Sequence, residues 1–212
     1  MKERRVELLG EVANYYDRKL AEHGASARGV DWNGEESQFV RFAQLCKVID
    51  PDLPEFSLND LGCGYGALWD YLQVQYPHAS YVGVDVSSEM IQAARLRHRQ
   101  GKTPGFVVAD TPPEIADYGV ASGVFNVRQH RSEVEWRGYL LDTLDTLDRT
   151  SRRGFSFNCL TCYSDEDRKR DYLYYADPLF IFDFCKRRYS RQIALLHDYG
   201  LYEFTVLVRK VA

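Results

Sequence analysis

The pattern of hydrophobic positions changes near residue 55. Over residues 4–20 and 36–49, apolar side chains recur every three or four positions, which predicts two amphipathic helices. A polar, glycine-rich loop separates these segments, and Pro51 and Pro54 end the second helix. We therefore expect a helical segment over residues 1–54 that precedes a main domain over residues 55–212.

Beyond residue 55, short apolar runs alternate with helical stretches. This alternation predicts an α/β fold with right-handed crossovers and a mostly parallel sheet covered on both faces. The last two predicted strands, within residues 191–210, are joined by a turn too short for a crossover, so the final strand is expected to run antiparallel. The pattern predicts earlier strands at 56–61, 81–86, 105–109, 119–127 and 154–160, and helices at 66–75, 88–99, 133–147 and 178–188.

A glycine-rich turn, NDLGCGYG over residues 59–66, follows the first predicted strand and leads directly into a helix. Such a turn brings backbone N–H groups and a helix N-terminus close to a ligand at the carboxyl edge of the sheet. A side chain at Gly64 would occupy the space that the ligand needs. Asp85 ends the second predicted strand and suits ribose hydroxyls, and Asp110 ends the third, where it suits an adenine amino group. Together these residues predict a nucleoside site.

Two classes of cofactor fit this turn. Gly62, Gly64 and Ala67 also satisfy the G-x-G-x-x-A form of a dinucleotide fingerprint, which leaves an NAD-dependent oxidoreductase open. Asp60 argues against NAD, because its negative charge would face a pyrophosphate but suits a cationic ligand. A third glycine at Gly66 also departs from the dinucleotide spacing.

Four motifs appear in order along the chain: NDLGCGYG, YVGVDVSSEM, VVAD and the closing HDYGLYEFTVLV. Through them, residues 55–212 resemble the class I S-adenosylmethionine-dependent methyltransferases. The resemblance implies a Rossmann-like three-layer sandwich, with a seven-stranded, mostly parallel sheet whose last strand is antiparallel. It also implies S-adenosylmethionine as the cofactor.

The resemblance further implies roles for individual residues. Asp60 is expected near the amino group of the methionine moiety, Asp85 at the ribose and Asp110 at the adenine. The remaining residues of these motifs that are expected to line the cofactor are Gly62, Cys63, Gly64, Gly66, Val86 and Thr111. After the fourth strand, Phe125-Asn126-Val127-Arg128 replaces the Asn/Asp-Pro-Pro-Tyr signature that many amino-methylating nucleic-acid enzymes carry. The residues at that position therefore do not indicate the class of methyl acceptor.

Methyl transfer from a sulfonium is an in-line displacement that needs an aligned acceptor and, for a hydroxyl or a protonated amine, a base. His130 is the predicted base, because an unperturbed imidazole has a pKa of about 6.5. The alternative is a solvated loop histidine. Asn126 follows a strand's carboxyl end and is predicted to contact cofactor or substrate, with a turn cap as the alternative. His130 and Asn126 are thus the catalytic candidates.

The N-terminal helices and the segment after the fifth strand are predicted to form a lid. Gln38 and Arg41 share a helical face, so we expect both at the cofactor, with Arg41 pairing its methionine carboxylate and Trp32 excluding water. A surface salt bridge of Arg41 is the alternative. Three tyrosines are predicted to wall the acceptor pocket, although plain helical packing would also explain the last two: Tyr16, Tyr172 and Tyr175.

The charge balance bears on the acceptor. The chain has 31 acidic and 27 Lys and Arg residues, a net charge of −4, whereas dedicated nucleic-acid binders are usually basic. We therefore expect a small-molecule acceptor, with an oxygen, nitrogen or other nucleophile, and no nucleic-acid partner. A tRNA or protein acceptor remains open through a basic patch at Arg95, Arg97, His98 and Arg99. A nucleoside-binding protein without turnover also remains open.

The five cysteines, an odd number, are predicted to be packed thiols in a reducing compartment: Cys46, Cys63, Cys159, Cys162 and Cys185. The Cys159-x-x-Cys162 pair lacks the second ligand pair of a zinc site, so no metal is expected. The sequence shows neither an apolar run long enough to span a membrane nor a secretory signal. These features predict a cytoplasmic protein without a membrane partner, as a monomer or homodimer.

Overall fold

The structure, a computed structural model, describes residues 2–100 and 104–210, with side chains from residue 5 onward. Two helices occupy the N-terminal segment, α1 (Lys2–His23) and α2 (Glu35–Cys46), and a 3-10 turn (Arg28–Val30) lies between them. Both predicted helices are confirmed. The second ends at Cys46 rather than residue 49, because residues 47–49 continue in a tighter turn with hydrogen bonds between residues three apart.

The described part of the main domain forms seven strands in one sheet. The strands are β1 (Ser57–Leu61), β2 (Ser80–Asp85), β3 (Gly105–Val108), β4 (Ala116–Ala121), β5 (Ser151–Leu160), β6 (Gln192–Leu196) and β7 (Glu203–Arg209). Their order across the sheet is β3-β2-β1-β4-β5-β7-β6, and β7 runs antiparallel to both neighbours. The predicted Rossmann-like sandwich and its antiparallel last strand are confirmed.

Helices cover both faces of the sheet: α3 (Ala67–Gln75), α4 (Ser88–Arg97), α5 (Glu133–Arg149) and α6 (Pro178–Arg188). One hydrophobic core packs the sheet against α2, α3 and α4, and a second packs it against α5 and α6. The capping signals lie where the sequence places them: Ser87 accepts a hydrogen bond at the start of α4, and Ser132 forms a capping box at the start of α5. Because strands β1 to β5 pair in parallel, their carboxyl ends all lie at one edge of the sheet.

The fourth strand differs most from its prediction. Residues 119–127 were expected to be extended, but β4 ends at Ala121, and the chain then turns at Gly123 with a φ of 76°. The apolar run that follows is buried in a loop beneath α5, where the indole of Trp136 donates to the carbonyl of Phe125 at 2.7 Å. Hydrophobicity alone did not distinguish a buried loop from a strand. This loop, residues 122–127, is the β4 loop below.

The cysteines are free thiols, as expected. Four are buried and Cys162 is half-buried. In residues 2–100 and 104–210, no group of three or more His, Cys, Asp or Glu side chains is placed to hold a metal ion. None of the helices described is both long and apolar enough to cross a membrane.

Candidate active site

A deep cleft lies at the carboxyl ends of β1, β2 and β3. It encloses about 980 Å³ of space, including its open mouth. One face of α1 covers it, through Leu9, Val12, Ala13 and Tyr16. The floor carries most of the residues that the sequence predicts for the cofactor.

The backbone of the loop after β1 packs tightly against β2 and the β4 loop. Gly62 donates its N–H to the carbonyl of Val84 at 2.7 Å, and a Cβ at Gly62 would lie 2.2 Å from the side chain of Val124. Its φ of 76° also favours glycine. Gly64 lines the cleft and donates its N–H to Asp85 at 2.8 Å. Only glycine at position 62 therefore allows the β1 and β4 loops to meet.

Gly66 serves packing instead. It is not among the cleft-lining residues, and a Cβ there would meet Phe106 at 2.8 Å and His98 at 3.0 Å. The structure thus places the third glycine of the motif behind the cleft wall. Cys63, in contrast, lines the cleft as a buried thiol, and burial raises its pKa well above the ordinary value.

Asp85 is held in a fixed orientation at the end of β2. One carboxylate oxygen accepts from the N–H of Gly64 at 2.8 Å, and the other accepts from the N–H of Ser87 at 2.9 Å. Burial raises the pKa of Asp85, and these two hydrogen bonds oppose the rise. Val86, the next residue, also lines the cleft. The arrangement presents an oriented carboxyl group to a ligand.

Asp60 is a second carboxyl group in the cleft, and only 2% of its surface is exposed. It accepts a hydrogen bond from the hydroxyl of Tyr81 at 2.7 Å. Burial raises the pKa of Asp60 to about 7, because the ionised form loses its hydration. A cation bound beside it would favour the charged form again.

Asp110 lines the rim of the cleft, where the guanidinium of Arg5 approaches it at 3.3 Å. Thr111 does not line the cleft, and its hydroxyl donates to Asp110 at 3.2 Å. The Arg5–Asp110 contact joins α1 to the end of β3. Farther along α1, Glu11 forms a 2.6 Å ion pair with Arg131.

A second cavity adjoins the cleft. It encloses about 1,030 Å³, including its mouth, and shares three lining residues with the cleft: Tyr16, Val30 and Trp32. Asn126 and Tyr172 line it. Asn126 is 6% exposed, and its side-chain oxygen accepts from the N–H of Leu160 at 3.4 Å. The three shared residues therefore lie between the two spaces, and we call this place the junction.

Arg41 does not reach the cleft, contrary to the prediction that it would pair a cofactor carboxylate. It lines the second cavity, where Glu203 occupies its guanidinium with nitrogen–oxygen distances of 2.6 and 2.9 Å. Its other terminal nitrogen donates to the carbonyl of Ser37 at 2.7 Å. Glu203 also accepts from Asn158 at 2.7 Å. A carboxylate of the protein thus already neutralises the Arg41 charge.

Trp32 and Gln38 do line the cleft. The guanidinium of Arg41 stacks on the Trp32 ring, 3.8 Å from its centroid. The edge of the same ring lies against Gly123, where a Cβ would stand 2.5 Å away. Gln38 accepts from the hydroxyl of Tyr65 at 3.0 Å. Trp32 therefore forms part of the wall common to the cleft and the second cavity.

His130 lies outside both spaces. Its side chain is 75% exposed, and its nearest described acidic partner is Glu11 at 3.8 Å. The predicted base therefore faces solvent in this structure, because Arg128 and Arg131 anchor the loop on either side of it. Tyr175 also lines neither space, and its hydroxyl accepts from the N–H of Arg170 at 2.9 Å.

Sequence reasoning missed several lining residues. Tyr139 and Thr143 reach the cleft from α5, and Ser122 reaches it from the β4 loop. The hydroxyl oxygen of Ser122 is buried without a hydrogen-bond partner among the described residues. The helical pattern of α5 indicated only a core face, so nothing in it distinguished these two positions. Glu203 was missed because its partner Arg41 is 162 positions away.

The basic patch considered for a tRNA or protein acceptor is partly engaged in contacts within the protein. Arg95 donates to the carbonyl of Phe106 at 2.7 Å, and Arg97 pairs with Asp70 at 2.9 Å. His98 is 6% exposed and contacts the carbonyl of Gly66 at 3.0 Å. Three of its four members are therefore engaged within the protein.

Residues 59–154, which contain the glycine loop, Asp85 and Asp110, match the family described as "Methyltransferase domain". Over 169 residues, the chain is 58% identical to the "Putative methyltransferase Rv1506c" of Mycobacterium tuberculosis (strain ATCC 25618 / H37Rv). The match covers 80% of this chain and 99% of that protein. The chain belongs to the class I S-adenosylmethionine-dependent methyltransferases.

Two further comparisons agree with this family. A trans-aconitate 2-methyltransferase of Rhodopseudomonas palustris (strain BisB5) is 33% identical over 104 residues, 45% of this chain but only 40% of that enzyme. The N-methyltransferase NodS from Bradyrhizobium japonicum WM9, solved with S-adenosyl-L-homocysteine, has a TM-score of 0.65 at 15% identity and covers 93% of this chain and 97% of NodS. At that identity, the structural likeness shows the fold.

Proposed function

We propose that this methyltransferase binds S-adenosylmethionine in the cleft and transfers its methyl group to a small molecule in the second cavity. The observation that supports this assignment most is the shared junction at Tyr16, Val30 and Trp32. Ligands that occupied both spaces would lie next to each other on either side of this junction. Such an arrangement aligns two reactants and lowers the entropy cost of their encounter.

The residues of the cleft suit this cofactor. Asp85 is proposed to accept hydrogen bonds from the ribose, and Asp110 to lie at the adenine end. Asp60 would face the positive charge of the methionine moiety. Ser122 has a buried hydroxyl without a described partner, so it offers a hydrogen bond to a ligand. Gly62, Cys63 and Gly64 would contact the cofactor at close range.

When bound, S-adenosylmethionine supplies a methyl group already activated by its sulfonium. The protein then has to orient the acceptor and exclude water. We propose that residues 1–54 form the cover, with α1 over the cleft and Trp32 at the junction. The contacts of α1 at Arg5–Asp110 and Glu11–Arg131 would hold this cover closed.

A small acceptor is favoured by the shape of the second cavity, which side chains from the loops and α1 surround. The relative that acts on trans-aconitate supports the same class of acceptor. A tRNA or protein acceptor is less well supported, because the chain is acidic overall and one member of the basic patch, His98, is buried.

Calorimetric titration tests the cofactor assignment. We expect S-adenosylmethionine and S-adenosylhomocysteine to bind, NAD not to bind, and Asp85→Asn to weaken binding at least tenfold. Asp183→Asn is the matched control, because Asp183 is exposed on α6, far in the chain from the cleft loops. Binding of NAD in place of the two sulfur nucleosides would refute the assignment.

Transfer of labelled methyl to a small-metabolite fraction, compared with RNA and protein fractions, tests the acceptor class. We expect label in the small-metabolite fraction. Label confined to the macromolecular fractions would show that the acceptor is not a small molecule.

A further inference from the structure

Two of the arginines that line the second cavity lack a strong carboxylate partner among the described residues. Three arginines and two carboxylates line it: Arg41, Arg168, Arg170, Asp31 and Glu203. Arg41 and Glu203 form a buried ion pair. Asp31 lies 2.8 Å from the ammonium group of Lys19 and accepts from the hydroxyl of Tyr15 at 2.7 Å. The charges of both carboxylates are therefore matched within the protein.

Arg168 and Arg170 remain at the rim. Arg170 donates through one terminal nitrogen to the carbonyls of Asp167 and Lys169, at 3.0 and 2.8 Å. None of the described carboxylates forms an ion pair with it. Arg168 lies 3.7 Å from Asp167, and both of these side chains are mostly exposed, so the pair is weak. Guanidinium groups bind carboxylates strongly, often through two parallel hydrogen bonds.

Four of the five carboxyl and hydroxyl groups that line the cavity are committed or stay protonated, and Tyr172 is the fifth. Asp31 and Glu203 serve as ion-pair partners, as described above. Tyr16 stays protonated at neutral pH because burial raises its pKa far above the ordinary value. Tyr202 donates its hydroxyl to Asp165 at 2.5 Å. A nucleophile that arrives already ionised would need none of these groups.

We propose, resting on the proposed function, that the acceptor is a small polycarboxylic acid, with one carboxylate as the methyl acceptor and another held by Arg170 and Arg168. A lone pair of the carboxylate oxygen forms the new C–O bond while the methyl C–S bond breaks. The electron pair of that bond passes to sulfur, which becomes a neutral thioether. The products are a methyl ester and S-adenosylhomocysteine, and no proton is released.

Binding tests the charge recognition without turnover. The 212-residue protein, saturated with S-adenosylhomocysteine, is titrated with trans-aconitate and with its trimethyl ester. We expect trans-aconitate to bind, the ester not to bind measurably, and Arg170→Gln to weaken trans-aconitate at least tenfold, with a smaller loss in Arg168→Gln. Arg152→Gln is the matched control, since Arg152 is exposed at the start of β5, the opposite end of that strand from the cavity.

The affinity for S-adenosylhomocysteine should stay unchanged in all three variants. Equal binding of acid and ester, equal binding by wild type and Arg170→Gln, or no binding of trans-aconitate to the S-adenosylhomocysteine complex would overturn the inference. Failure of the wild type to bind S-adenosylhomocysteine would instead overturn the proposed function.

The chemistry of the product gives a second test. Methyl esters release methanol in alkali, whereas methyl ethers and N-methyl groups do not. With S-adenosylmethionine labelled in its methyl group and trans-aconitate as acceptor, we expect the transferred label to become volatile after alkaline treatment. Alkali-stable label on the product would refute a carboxylate acceptor and would leave methyl transfer itself intact.

Discussion

The cleft and the second cavity share a wall, yet different kinds of groups line them. The cleft floor is made of loops that follow consecutive strands, and backbone N–H groups and short acidic side chains line it. The second cavity is made of side chains from seven separate segments, and a buried ion pair between α2 and β7 forms part of its lining. The first kind of site follows from local sequence, whereas the second depends on contacts between distant residues.

Of the substitutions that test this difference, removal of the Glu203 carboxylate in the second cavity should lower the free energy of unfolding most. Glu203→Ala leaves the Arg41 guanidinium buried without its counter-ion, and breaking such a pair costs about 3–5 kcal/mol. We expect a loss of that size in the free energy of unfolding, measured in urea. Glu55→Ala, at an exposed loop position, is the control and should change it by less than about 0.5 kcal/mol. A loss below about 1 kcal/mol for Glu203→Ala would contradict the role given to the pair.

In the cleft, Asp60 should make the free energy of unfolding depend on pH. Burial raises the pKa of Asp60 to about 7 in the folded protein, against an ordinary value of 3.8. Between these values the folded state holds the extra proton, so this group's contribution to stability falls as the pH rises and is lost above about pH 7. Asp60→Asn removes the titration.

Relative to wild type, Asp60→Asn should therefore gain about 2 kcal/mol in the free energy of unfolding between pH 5 and pH 8. Urea unfolding of both proteins at the two pH values measures this gain, and Asp183→Asn, an exposed carboxylate, should show little change. A difference that stays constant with pH would show that Asp60 is already ionised in the folded protein.

The backbone of the cleft can be tested at Gly62. In Gly62→Ala, the new Cβ would meet Val124 in a left-handed backbone conformation, which should cost about 1–2 kcal/mol of stability. The affinity for S-adenosylhomocysteine should fall at least tenfold, because the β1 loop must shift. Gly138→Ala, in α5 with no atom within 4 Å of its added Cβ, should stabilise the protein by about 0.5–1 kcal/mol. Equal effects of the two substitutions would argue against tight packing of the loop.

The smallest effect is expected at His130. Its imidazole is 75% exposed and lines neither space, so His130→Ala should leave methyl transfer and cofactor affinity unchanged. Stability should change by less than about 0.5 kcal/mol. A tenfold loss of transfer rate in a labelled-methyl assay would restore the original prediction that His130 is the base.

The sequence predicted the fold well, because each strand and helix carries its own periodicity and end signals. It also predicted Gly62, Cys63 and Gly64 of the glycine loop, together with Asp85 and Asp110, at the cleft, since the carboxyl ends of parallel strands meet at one edge. The sequence predicts a strand over residues 119–127, but the strand ends at Ala121, because buried loops and buried strands are equally apolar. The course of the β4 loop matters, since it brings Val124, Gly123 and Ser122 to the cleft.

Side chains that depend on distant partners were harder to place. Arg41 lies on the predicted helical face, but no local signal shows that Glu203 of β7 is its ion-pair partner. The prediction that His130 is the base rests on the intrinsic pKa of imidazole, whereas its exposure depends on how Arg128 and Arg131 anchor the loop. Arg168 and Arg170 belong to a charge run that is typical of a solvated loop, and only the tertiary structure brings them to the second cavity.

A crystal structure of the complex with S-adenosylhomocysteine tests the central claim most directly. We expect the ribose hydroxyls within about 2.6–3.2 Å of the Asp85 carboxylate and the sulfur facing the junction at Tyr16, Val30 and Trp32. A nucleoside bound in the second cavity, or one that leaves Asp85 without contact, would contradict the division of the site into a cofactor cleft and an acceptor cavity.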